Sequence, residues 1–452
     1  MARKFKTVDN EATLDMTIAI RDCLPPEHLA HFVVKIVKQL DLSCIYSQYG
    51  ARGGEPYDPP ILLGLLFYGY ATGVFSSRQI EKKSYSSIPY IYIAGGLHPD
   101  HDTINTFRKD FLDEIKQLFV QILLIAQAIE VLELSHVSLD GTKIHADASK
   151  SKAVSYKRLL ELEAQLQAEV EELFILGQQA EQTELPNGLN LVTEIAFRRE
   201  RLFNLSQAKS VLKLRAEARY QTQLAEYEAK VRERAEKEKE TGRKLGGRKP
   251  NPPAPGVRDK DQYNFTDPES PIMKNSNNSG FDQHYNAQVA VTHGSMLIVA
   301  NRLSDHPNDK QEAIPTLDAI PPEIGKPEAG AMDNGYFSAT NIAACEIRGI
   351  EPYIATGREL HHRSWQDYFK EQAAPPSDQA TPKEKMAYKL QTEIGQAIYC
   401  LRKCTVEPVI GIIKEVLGFR QFSLRGLLKA AGEWNLVCIG FNLKRLHALT
   451  LA

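Results

Sequence analysis

The sequence predicts an α/β protein: a mixed sheet with helices on its faces, preceded by a helical domain and interrupted by an inserted helical hairpin. Three observations carry this. Residues 11–130 place apolar residues at three- and four-residue spacing, the period of amphipathic helices. Short alternating or apolar runs recur at His136–His145, Tyr285–Thr292, Met296–Arg302, Ala329–Asp333 and Glu351–Ala355 and read as strands. Between the first two runs, Leu159, Leu162, Leu166, Val170, Leu173 and Leu176 form a helical stripe, with Glu and Gln opposite. The domains that follow are 1–130, helical, and 131–150, the first piece of the core. Residues 151–260 are the hairpin and a basic linker, and 261–452 the rest of the core.

Bulk properties narrow the function classes. A chain of 452 residues exceeds what one core supports, so several domains are expected. With 42% apolar and 25% charged residues it is neither a disordered nor a membrane composition, and no run nears the ~18 apolar residues that span a bilayer. The basic start, Met1 to Lys6, runs into polar residues and does not read as a signal peptide, so a cytoplasmic protein with reduced thiols is expected. Cys400 and Cys404 lack a nearby His or second pair, and buried thiols are the expected reading over a zinc site. Net charge is −2, yet Tyr399–Arg445 holds eight Lys or Arg against three Glu, the local footprint of a polyanion partner or a solvated helix face.

In chain order, Pro59-Pro60 opens a helix through Tyr70, and Phe107–Ala128 forms another. Between them, Asp102 or Thr103 is expected to cap a helix exposing Arg108 and Lys109. That segment is either a helix-turn-helix-like DNA reader or a helical packing domain. After the strand at 136–145 and the leucine stripe, Leu185–Gly188 breaks the chain, and a second charged helix runs from Ile195 to Glu238. Thr241–Gly256 is a basic, Pro- and Gly-rich linker expected to be disordered. His293-Gly294 turns a hairpin, and helices are expected over Asn308–Ile320 and Ile342–Arg348. Residues 361–390 read as a mobile loop, and helix resumes at Thr405.

Three acids sit where chemistry can use them. Asp140 precedes Gly141, and Asp333 ends a buried strand before Asn334-Gly335-Tyr336. An acid at a strand's end beside a glycine turn points into the crevice where α/β sheets bind ligands, though an Asp before Gly is more often a turn residue. A buried carboxylate must pair, shift its pKa or bind a cation. Glu407 precedes Pro408, which fits only a helix's first turn, with Thr405 as the expected cap. Tyr399 and Arg402, three apart, can grip one phosphate, and Lys414 lies two turns beyond Glu407. Asp140, Asp333 and Glu407 together suit two Mg²⁺ or Mn²⁺ ions, Asp140 bridging them.

Here the chain resembles the DDE transposases of bacterial insertion sequences, in the group marked by a Tyr–Arg–Glu–Lys signature and nearest the insertion sequence eleven-eighty-two subgroup. The matching pieces are Asp140-Gly-Thr-Lys-Ile144, Asn264–Lys274, Tyr285-Asn-Ala-Gln288, Asp333–Ser338, Tyr399–Lys414, Leu417–Phe422 and Trp434–Leu446. The piece Pro59–Arg108 resembles the helical domain that precedes the core in those proteins. The resemblance implies a ribonuclease H-like core and two divalent metals held by Asp140, Asp333 and Glu407 as catalytic residues. It implies cleavage of inverted-repeat ends and their joining to target DNA, with Tyr399, Arg402 and Lys414 as signature residues. The usual signature sets three residues between Arg and Glu; Arg402 stands four away and Lys403 three, so both are candidates for DNA contact, beside Arg108. A homodimer in the synaptic complex is expected, with the hairpin mediating dimerisation or end contact. The alternatives are a nuclease without strand transfer and an inactive DNA-binding or coiled-coil scaffold.

Overall fold

A computed structural model describes residues 19–50, 55–179, 190–244, 246–247, 249–275, 280–357, 375–377 and 379–451. The chain divides into two compact units, Met1–Ile144 with Tyr285–Ala452, and His145–His284. The first unit opens with α1 (Leu29–Val37), α2 (Ser43–Tyr46), α3 (Pro59–Ala71), α4 (Ser77–Ser86), α5 (Ile88–Ile93), α6 (His101–Asp110) and α7 (Leu112–Ala128). Pro59 and Pro60 occupy the first helical positions of α3, where a missing N–H costs nothing. That helix is apolar on every side and buried from Leu62 to Ala71, the mark of a helix inside a core. The cap of α6 is Asp100, whose carboxylate accepts from Thr103 N at 2.8 Å, and not Asp102 or Thr103 as the sequence suggested.

Arg108 also departs from expectation. It is 4% exposed and closes the buried face of α6 with Ile104 and Phe107. Its Nη1 donates to Tyr70 Oη at 2.9 Å and lies 3.6 Å from the buried Glu433 carboxylate. Arg108 is therefore not the exposed DNA contact that its charge suggested; buried against Tyr70 and Glu433, it is a packing residue.

Strand β1 (His136–His145) leads out of the first unit. The second unit holds β2 (Ala153–Ser155), α8 (Tyr156–Gln179), α9 (Leu191–Thr241), β3 (Gln262–Asn264) and β4 (Ile272–Lys274). Strands β2 and β3 pair antiparallel. Leu159 and Leu166, seven apart on α8, pack with Leu205, Ala208 and Leu212 of α9, a heptad-like seam. Leu176, also in the leucine stripe, is exposed instead. The predicted break at Leu185–Gly188 lies outside the described residues. Helix α9 runs past Glu238 to Thr241 and stops at Gly242, whose φ of 63° suits the left-handed cap.

The chain returns along β5 (Phe281–Thr292), whose first residues pair with β4, and continues through β6 (Ile298–Ser304), α10 (Ala313–Leu317), β7 (Ala329–Met332), α11 (Ala339–Ile347) and β8 (Glu351–Ile354). The helix expected over Asn308–Ile320 is a 3₁₀ turn at Asp309–Gln311 followed by the short α10. The core sheet has the order β6-β5-β1-β7-β8. The β5–β6 pair is antiparallel, while β1–β7 and β7–β8 are parallel. The result is a mixed sheet with helices, consistent with a ribonuclease H-like fold.

After β8 come α12 (Pro382–Lys389), α13 (Glu393–Cys404), α14 (Val406–Gly411), a π-helical turn at Ile412–Val416 and α15 (Leu427–Thr450). Part of the loop expected at 361–390 is thus helix: Thr381 and Glu384 form a reciprocal capping box ahead of α12. Residues 358–374 lie outside the described set. Cys400 and Cys404, expected to be buried, are exposed. Helix α15 is buried through most of Trp434–Leu443 and crosses α3 so closely that a Cβ on Gly440 would come within 2.7 Å of the Tyr70 carbonyl carbon. Only glycine admits that approach.

Candidate active site

The register of the sheet brings two of the acids together. In the parallel β1–β7 pair, Ser138 stands opposite Ala331. Asp140 lies two residues beyond Ser138 and Asp333 two beyond Ala331, close enough for the Asp333 charge to act on the Asp140 carboxyl. Asp140 lies within β1 rather than at its end, and its Oδ1 accepts from Gly141 N at 2.9 Å. Asp333 directly follows β7 and caps a 3₁₀ turn, accepting from Gly335 N at 2.8 Å.

Glu407 reaches this face from α14. A helix broken at Thr405 separates Tyr399 and Arg402, on α13, from Glu407 at the second position of α14. Thr405 does not cap α14 with its side chain, contrary to expectation. Its Oγ1 donates to Leu401 O at 2.7 Å and lies 3.3 Å from Ser138 Oγ, tying the break to β1. Across the break, Arg402 donates from Nη1 to Asp140 Oδ2 at 3.3 Å and from Nη2 to Glu407 Oε1 at 2.8 Å. Arg402 therefore bridges these two carboxylates; Lys403 is exposed. Tyr399 packs against the cluster of Ala329, Ala331, Tyr353 and Ile398. Lys414 Nζ, half-buried on the π turn, donates to Thr142 Oγ1 at 3.1 Å, two residues beyond Asp140.

The electrostatics follow from this crowding. Burial pushes the Asp140 carboxyl up to about 7; Arg402 pulls against the rise, while Asp333 and Asp309 add to it. Burial also raises Asp333, opposed by the Gly335 N–H and Arg402. Burial lowers Lys414. Among the described residues no three acidic, His or Cys side chains already converge on one point. Even so, the donor set fits a hard divalent cation: it is carboxylate oxygen throughout, and a raised Asp140 is a charge that a cation would settle. In this arrangement the Arg402 guanidinium is the cation that Asp140 and Glu407 share.

Sequence reasoning missed the layer behind these acids. Asp309 Oδ1 accepts from Asn286 Nδ2 at 2.8 Å and from Gln288 Nε2 at 2.6 Å. Gln288 Oε1 in turn accepts from Tyr336 Oη. The motif Tyr285-Asn-Ala-Gln288 was visible as a resemblance, but its role was not, because its partner Asp309 lies in an irregular polar turn. Gly141 is part of the same layer: a Cβ there would lie 2.5 Å from Asp309 Oδ1 and closer still to Gln288 Nε2. Both groups are held by hydrogen bonds and cannot yield freely. Gly141→Ala is accordingly expected to cost about 1–3 kcal/mol in stability through overpacking. Chemical denaturation measures it, and an unchanged midpoint would show that the layer gives way.

Residues 370–447 match the family model described as a transposase DDE domain, and residues 19–110 the one described as a transposase domain (DUF772). The first match includes Tyr399, Arg402, Glu407 and Lys414; Asp140 and Asp333 lie outside both. Comparison with curated proteins and with solved structures finds no match. The two family matches support a DDE transposase of the insertion-sequence type. No helix among the described residues is long and apolar enough to cross a membrane.

Proposed function

We propose that this chain is a DNA transposase, of the Tyr–Arg–Glu–Lys group and the insertion sequence eleven-eighty-two subgroup, that cleaves transposon ends and joins them to target DNA. The observation that carries the reading is the meeting of Asp140 and Glu407, distant in sequence, on one guanidinium. Asp333, just past the end of β7, lies close enough to act on the Asp140 charge. Asp140, Asp333 and Glu407 would hold two Mg²⁺ or Mn²⁺ ions. Bound there, such ions would supply the Lewis acidity that polarises a scissile phosphate and activates an attacking water or 3′-hydroxyl. Arg402, once released from the carboxylates, stands ready with Tyr399 to take a DNA phosphate, and its forked donors suit that anion. Lys414 fixes the π turn against β1 and adds a positive charge beside the site.

The same reading assigns inverted-repeat binding to the N-terminal helices and pairing of subunits, or contact with the ends, to the α8–α9 hairpin. A monomer in the end-bound complex would rule out the pairing role. The decisive assay combines purified protein, a precut transposon end, a target plasmid and Mg²⁺. Joined products are expected. Nicks alone would identify a nuclease without strand transfer.

A further inference from the structure

We propose that Asp309 is a fourth carboxylate of the metal centre, presented beside Asp140 and Asp333 by the buried amides of Asn286 and Gln288. The inference rests on the metal-dependent reading above and adds a residue to it. Three observations carry it. Asn286 and Gln288 are 2% and 0% exposed, and both spend a donor on the same oxygen, Asp309 Oδ1. Gln288 is itself fixed, since its Nε2 also reaches Asn286 Oδ1 at 3.1 Å and its Oε1 takes the Tyr336 hydroxyl. Asp309 thus has one oxygen clamped by a preorganised pair of buried donors, the arrangement by which a supporting layer aims a ligand.

The other oxygen borders Asp333. A Cβ built on Gly335 would lie 3.4 Å from Asp309 Oδ2 and 2.9 Å from Asp333 Oδ1, so both carboxylates border the same glycine. On the opposite side Oδ1 borders Gly141, the residue after Asp140. Asp309 is near enough to both acids for its charge to raise each of them. A carboxylate needed only to absorb two amide donors has no reason to stand close to two further acids, where like charges repel. Hard cations take six or more oxygens, which three carboxylates do not fill, so a fourth has a use.

The test is Mn²⁺ binding by the full-length protein, followed by electron paramagnetic resonance. Asp309→Asn keeps the shape and an acceptor for the amides and removes only the charge. It is expected to weaken Mn²⁺ binding by about 10- to 100-fold. The metal-free variant should melt at or above the wild-type temperature, because repulsion is relieved. Unchanged Mn²⁺ affinity, or a metal-free variant that melts several degrees lower with its Mn²⁺ affinity kept, would make Asp309 a structural residue and overturn the proposal. A second measurement needs no variant. Fe²⁺ with ascorbate and peroxide should cut the wild-type backbone near residue 309 as well as near 140 and 333. Cuts near 140 and 333 with none near 309 overturn it equally. Wild-type protein that binds no Mn²⁺ would instead defeat the functional reading on which this one rests.

Discussion

Asp140→Asn is expected to abolish end cleavage and joining while leaving DNA binding intact. The substitution keeps the acceptor that meets Gly141 N and removes the charge that Arg402 now neutralises. If Asp140 is the shared ligand of two ions, its loss removes several kcal/mol of transition-state charge stabilisation, on the order of a thousandfold in rate or more. Strand-transfer assays with a gel-shift control measure both halves. Joining at the wild-type rate would overturn the assignment of all three acids, since Asp140 is the one that neighbours both others.

The same variant has a pH signature that does not need DNA. Burial raises the Asp140 carboxyl from 3.8 to about 7, so the metal-free folded protein holds that proton more tightly than the unfolded chain. Stability from this group is therefore present at low pH and lost as pH rises from about 4 to about 7, after which it is level. Asp333, raised as well, slopes the same way. Carboxyls held below their usual range, such as Asp261 beside Arg219, slope oppositely, but they are common to both proteins. The difference in melting temperature between Asp140→Asn and wild type should thus grow from pH 4 to pH 7 in favour of the variant. Saturating Mg²⁺ should reverse it. A difference independent of pH would mean that Asp140 is not the buried, crowded acid described here.

How much of this could be read from sequence depends on how local each signal is. Asp140 and Asp333 were legible because strands and glycine turns are local patterns, and an acid at such a point stands out. Glu407 was legible through Pro408, which admits only a first-turn position. Asp309 was not, because it sits among Asp305, His306, Asn308 and Lys310, where one more polar residue carries no signal. Its meaning comes from Asn286 and Gln288 on β5, a long-range contact. The choice between Arg402 and Lys403 was equally invisible. It turns on the break at Thr405, across which Arg402 reaches both Asp140 and Glu407, a geometry that residue counting does not carry. Arg108 was misread for a different reason. It stands four residues after Ile104 and shares that residue's face, so the period itself pointed inward, and the charge alone suggested exposure.

Removing Arg108 should therefore unfold the protein rather than free its DNA. Glu433, fully buried, is held from several directions: it accepts from Ser423 N at 2.8 Å, from Leu424 N at 3.0 Å and from Tyr70 Oη at 3.3 Å. Arg108 supplies the compensating charge, and it also donates to Phe75 O at 3.2 Å and Asn105 Oδ1 at 2.7 Å. The cluster joins α6, α3 and the segment leading into α15, within one unit. Arg108→Ala removes the cation that stands 3.6 Å from the buried Glu433 carboxylate, and breaking such a pair typically costs about 3–5 kcal/mol. Arg108→Lys should recover only part, since an ammonium cannot serve Tyr70, Phe75 and Asn105 from one planar fork. Replacing both partners, Arg108→Met with Glu433→Gln, should cost less than Arg108→Ala, because no charge is then stranded. Denaturation read by circular dichroism, with hydrogen exchange of α15, distinguishes these ranks. A DNA-contacting Arg108 would behave oppositely: stability within about 0.5 kcal/mol of wild type, as for an ordinary surface site, and a shallower salt dependence of DNA affinity.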